Sequence, residues 1–77
     1  SPSTEVKPQV MDYKLSLDHP TAVAILADSI TLTPGTLVLD YVEDESELVV
    51  HCLNGESTEE TRKDIRSWEN ILMKVFS

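Results

Sequence analysis

The 77-residue chain holds a single cysteine, Cys52. No internal disulfide can form, so nothing covalent staples the fold, and the chain suits a reducing compartment. Long hydrophobic runs are missing too. The longest wholly apolar stretch, Ala22 to Ala27, is far short of the ~20 residues that span a bilayer, and no signal-peptide pattern is visible. Basic residues are scarce: 6 Lys and Arg stand against 14 Asp and Glu, a formal net charge of -8. That balance argues against nucleic acid, where affinity comes from neutralised phosphates. It equally disfavours an anionic membrane surface, which rewards basic clusters. Docking to a basic protein surface remains open, and solubility is the plainer consequence.

The remaining pattern is that of one small α+β domain over 8–77, near the lower size limit for independent folding. Ser1 to Lys7 is polar and proline-punctuated, and reads as a linker or an expression remnant. Met11, Tyr13, Leu15 and Leu17 alternate with polar residues, as in a strand with one apolar face. Asp18-His19-Pro20-Thr21 reads as a helix start, with Asp18 as cap and Pro20 in the first turn. Val23, Leu26, Ala27 and Ile30 then fall on one helical stripe. Pro34 stops that helix, and Gly35 allows a positive-φ turn.

Two alternating runs follow, Thr36 to Val42 and Glu47 to Leu53, around Glu43-Asp44-Glu45-Ser46, and predict a β-hairpin. Pairing Val42 with Glu47 places Tyr41 opposite Leu48, Leu39 opposite Val50 and Leu37 opposite Cys52. With Met11 and Tyr13 these form a wholly apolar face. Asn54-Gly55 turns the chain. Ser57-Thr58-Glu59-Glu60 matches a capping box, and Ile65, Trp68, Leu72, Val75 and Phe76 form the stripe of a final helix. The expected architecture is a small two-layer sandwich in β-α-β-β-α order. Its three-stranded mixed sheet has the first two strands parallel around the first helix, and both helices cover one face.

No reaction centre stands out. His51 and Cys52 are adjacent on a strand, so they point to opposite faces and cannot chelate one ion. No paired-cysteine or spaced-histidine ligand set exists, and no metal or cofactor is expected. His51 lies diagonal to Asp40. The pair reads as a cross-strand polar contact, and the alternative of a proton relay lacks a nucleophile or pocket. Ser29, Thr31, Thr33 and Thr36 surround Pro34-Gly35. Their hydroxyls fit backbone groups at a helix end, with an anion site as the alternative. Glu43-Asp44-Glu45 lacks the alternating ligands of a Ca2+ loop and reads as a solvated tip. Trp68 belongs to the helical stripe, with partner anchoring as the alternative. Val38, Asp40, Val42, Val49, His51 and Leu53 share the second face of the sheet. The apolar members exceed scattered surface hydrophobes and mark a candidate interface.

One segment carries a signature. Ile30 and the turn Thr31-Leu32-Thr33-Pro34-Gly35-Thr36 resemble the ITLTPGT segment of the E-type subunits of the multisubunit Na+/H+ antiporters (the Mrp, or Mnh/Pha, type). About ten residues on, Leu48-Val49-Val50-His51-Cys52-Leu53 resembles that family's strand ending in Val-His-x-Leu. The resemblance implies a non-catalytic subunit of a membrane assembly exchanging Na+ or another monovalent cation for H+. The transmembrane helices would lie N-terminal to the residues here, and this domain would sit on the cytoplasmic side. Partners would be other antiporter subunits, with self-association of the domain open. The same type of subunit occurs in hydrogenase-like membrane complexes. The rival reading is a free-standing regulatory domain that binds a small ligand at the Pro34-Gly35 turn.

Overall fold

A computed structural model of the chain describes residues 8–53 and 57–77. The proposed linker at 1–7 and the Asn54-Gly55 turn lie outside the described residues. The elements are β1 (Gln9–Lys14), α1 (Pro20–Leu32), β2 (Thr36–Val42), β3 (Glu47–Cys52) and α2 (Thr58–Val75), in the expected β-α-β-β-α order. A one-turn 3-10 helix at Glu43–Glu45 joins β2 to β3, and Ser46 closes it in the left-handed region at φ 53°. All three acidic residues of this tip are exposed, as a solvated loop requires.

The sheet is antiparallel throughout, with strand order β1-β3-β2, not mixed. The first two strands do run in the same direction, but they are not neighbours, because β3 is inserted between them. The reason lies in side-chain character. Leu48, Val50 and Cys52 of β3 are each fully buried, so β3 gains most from a central position with a partner on either side. β1 and β2, with Asp12, Lys14 and Asp40 on their outward positions, serve as edges.

The core joins Met11 and Tyr13 of β1, the following Leu15 and Leu17, and Ala22, Val23, Leu26 and Ile30 of α1. Leu48, Val50 and Cys52 of β3 and Ile65 of α2 complete it. Pro20 occupies the first turn of α1, but the cap residue is His19 and no side chain caps there, so Asp18 does not take that role. Instead the His19 ring packs on Phe76, with centroids 4.7 Å apart, closing the start of α1 against the end of α2. At the start of α2 the Ser57 hydroxyl accepts the N–H of Glu59 at 3.2 Å, so Ser57 caps the helix as expected, through the second helical residue rather than through Glu60 of the capping box.

The hairpin begins in the expected register and then departs from it. Val42 faces Glu47 and Tyr41 faces Leu48, but Val38 faces Val50, Leu37 faces His51 and Thr36 faces Cys52. Leu39 is left unpaired as a β-bulge between Val38 and Asp40. Leu37 and Leu39 are therefore exposed rather than buried, and Tyr41, although it keeps its place opposite Leu48, is exposed as well. Val38, expected on the outer face, packs against the core.

The two ends of β2 explain the bulge. At the hairpin end, the short tip sets Tyr41 opposite Leu48. At the other end, the helix-to-strand turn points Thr36 inward, where its buried hydroxyl donates to the Ile30 carbonyl at 2.6 Å. These two phases differ by one residue, and the extra residue is Leu39.

Candidate interaction surfaces

The signature turn is built around the end of α1. Gly35 has φ 89°, a conformation in which a side chain would be strained. Its carbonyl accepts the N–H of Leu53 at 2.7 Å, tying the end of β3 to the turn. Every hydroxyl identified in the sequence is engaged by backbone. Ser29 donates to the Ile25 carbonyl at 2.8 Å and Thr33 to that of Ser29 at 2.9 Å. Thr36 donates to Ile30 and lies 3.1 Å from the Thr33 carbonyl as well. Thr31 accepts the N–H of Val38 at 3.4 Å. Leu32 is 83% exposed, and Pro34 is exposed beside it. The hydroxyls thus close the end of a helix, as the plainer reading expected.

Opposite the helices lies the outer face of the sheet. Pairing aligns Val10 with His51, Asp12 with Val49 and Lys14 with Glu47 from β1, and Leu37 with His51, Asp40 with Val49 and Val42 with Glu47 from β2. Directly paired residues point to the same side. The outer face therefore collects Val10, Leu37, Val42 and Val49 around His51, with Leu53 just beyond the strand. Of the six residues expected there, Asp40, Val42, Val49 and His51 share it, Leu53 is exposed at its end, and Val38 is removed by the bulge. Val10 and Leu37 take its place. His51 and Asp40 remain diagonal, and no hydrogen bond joins them among the described residues.

A third feature is a polar node inside the core. Glu69 of α2 is only 2% exposed. Its Oε1 accepts the Tyr13 hydroxyl at 2.7 Å, and its Oε2 accepts the backbone N–H groups of Ser16 and Leu17, the latter at 2.9 Å. One carboxylate thereby fastens α2 to β1 and to the segment leading into α1. Burial, the Glu69 hydrogen bond and the Glu69 charge together push the Tyr13 hydroxyl from 10.0 up to about 12, against the opposing pull of Arg66. Sequence reasoning missed Glu69. The available signal was an acidic residue inside the stripe of Ile65, Trp68 and Leu72, four residues after Ile65.

Trp68 and Leu72 pack against the core from α2 and also line a groove between the two helices. Cys52 is buried and lies 3.8 Å from the Thr61 hydroxyl, a core position as expected. Among the described residues no group of three or more His, Cys, Asp or Glu could hold a metal ion, and no helix is long and apolar enough to cross a membrane.

An antiparallel sheet backed by two helices, with apolar surface on both layers and its polar groups spent on the fold, defines a small two-layer α+β domain. The chain belongs to the MNHE family of Na+/H+ ion antiporter subunits, whose family model matches residues 1–75. It is 36% identical to the E subunit of the Na(+)/H(+) antiporter of Bacillus subtilis (strain 168) over 76 residues, which is 97% of this chain and 48% of the relative. It is 33% identical to the E1 subunit of the Na(+)/H(+) antiporter of Staphylococcus epidermidis over 75 residues, covering 96% and 47%. The chain spans about half the length of these relatives. Its fold is similar to a chain in the structure of the Mrp complex from Dietzia sp. DQ12-45-1b. That match has a TM-score of 0.71 and 27% identity, over 92% of this chain and 68% of the other. The family is one of transporters rather than enzymes.

Proposed function

We propose that this chain is a non-catalytic domain of one subunit of a multisubunit Na+/H+ antiporter, placed on the cytoplasmic side, where it contributes to assembly or stability of the complex. Other subunits of that complex are its partners, and any membrane attachment runs through segments outside these 77 residues. The observation that carries the reading is the family match over residues 1–75, together with the likeness to a chain of an Mrp complex. The outer sheet face gives the reading a physical form. Apolar side chains cluster there around His51, and an unpartnered apolar sheet face in a domain this small favours contact with a neighbour. The small-ligand alternative gains nothing from the turn, whose hydroxyls serve the backbone.

The test is Leu37→Lys with Val49→Lys in the full-length protein, produced together with the other subunits. Both positions lie outside the core, so the domain should stay folded. Assembly of the complex and Na+/H+ exchange in membrane vesicles should fall together. Normal assembly with exchange at the usual rate would remove the outer face from the proposal.

A further inference from the structure

The helical layer carries an apolar surface of its own. Ile25, Ser29 and Thr33 from α1 and its C-cap, with Trp68, Ile71 and Leu72 from α2, line a groove of about 300 Å3 between the helices. Its walls continue outward. Leu32 is 83% exposed, Ile71 59% and Val75 69%. Ile25 and Leu32 lie on one stripe of α1 at i and i+7, and Trp68, Ile71 and Val75 on one stripe of α2 at i, i+3 and i+7. α1 runs for 13 residues, about 20 Å at 1.5 Å per residue. That length accommodates three to four turns of a third helix.

The charges flanking this groove are unevenly placed. On α1 the sole charged residue is Asp28, exposed and next to Ser29 on the groove stripe. On α2, Asp64 lies one turn before Trp68 and lines the continuation of the groove beside Thr33 and Ile30. Glu60, exposed, is one turn further back. The end of α1 and the start of α2 meet there, and along the flanks Asp28, Glu60 and Asp64 outnumber Lys63 and Lys74. Lys74 stands near the other end, by Ile71.

We infer that this groove docks an amphipathic helical segment of a protein partner, with an apolar face inserted between the helices and basic residues set against Asp28 and Asp64. The charge pattern selects this occupant. A second copy would bring the same acidic excess to the contact and add to the repulsion between two chains of net charge -8. An anionic bilayer would be repelled for the same reason. A basic flank on the apolar helix converts that field into attraction.

Trp68 lines the groove and is the only tryptophan of the chain, so its emission reads occupancy directly. Two synthetic helical peptides of about 18 residues serve as probes, with Leu at i, i+3, i+4 and i+7 and flanks of Lys in one and Glu in the other. The Lys peptide should shift Trp68 emission to the blue in a saturable way, and the Glu peptide should bind at least about tenfold more weakly, about 1.4 kcal/mol. Added salt should narrow that ratio. Ile71→Glu should abolish binding, and Asp28→Lys with Asp64→Lys should reverse the preference while leaving the circular dichroism unchanged. Equal binding of the two peptides, no binding of either, or an emission shift produced by protein concentration alone or by anionic vesicles alone would overturn the inference. The probes do not involve the antiporter, so the result stands apart from the proposed function.

Discussion

Glu69→Ala would remove the acceptor of three hydrogen bonds at once. The Tyr13 hydroxyl and the N–H of Leu17 are buried donors, and the N–H of Ser16 is partly buried. Each buried donor left without a partner costs about 1–3 kcal/mol, and the methylenes of Glu69 leave a small void. The expected loss is about 3–5 kcal/mol. A 77-residue domain has only about 4–12 kcal/mol in total at roughly 0.05–0.15 kcal/mol per residue, so much or all of the stability would go. Glu69→Gln separates the hydrogen-bond geometry from the charge. Its amide oxygen can accept the two backbone N–H groups, and its NH2 can donate to a Tyr13 hydroxyl turned the other way. That variant should lose only about 1–2 kcal/mol. Urea unfolding followed by Trp68 fluorescence and far-ultraviolet circular dichroism measures both. If Glu69→Ala stays within about 0.5 kcal/mol of the parent, the size of an ordinary surface substitution, the node does not hold α2 to β1 and the reasoning is wrong.

The remaining predictions concern the same fold. Because Tyr13 is raised from 10.0 to about 12, the unfolded chain releases that proton first. Its contribution to stability is whole below pH 10 and is lost as pH rises from 10 through about 12. Tyr13→Phe should flatten that alkaline slope in unfolding measurements, and an unchanged slope would point to other groups. Gly35→Val, at φ 89°, should cost about 1–2 kcal/mol through backbone strain; a neutral result would show that the turn relaxes. Leu39→Lys should be nearly neutral in thermal melts, within about 0.5 kcal/mol. Val50→Lys buries an unpaired charge and should prevent folding. Severe destabilisation by Leu39→Lys would restore the unbulged register.

Much of this was legible in the chain. The number, type and order of the elements followed from local signals. Alternation gave the strands, helical spacing of Val23, Leu26 and Ile30 gave α1, and Ser57 marked the start of α2. The role of the hydroxyls around Pro34-Gly35 could also be read, because a helix end and a turn are satisfied by neighbours in sequence. The signature turn and the Val-His strand pointed to the family for the same reason, since both are contiguous segments.

Tertiary structure decided which strands pair, which face of β2 is buried, and where Glu69 goes. Each of these is fixed by partners distant in sequence. β3 took the central position because its inward side chains are all apolar, a comparison among strands that no single strand contains. The phase of β2 was set by two constraints at its ends, Thr36 against α1 and Tyr41 against Leu48, and the bulge at Leu39 meets both. An acidic residue within an apolar stripe shows nothing of its partners, because the donors to Glu69 lie more than fifty residues earlier. Periodicity fixes what each segment can bury, and only the assembled core fixes against what.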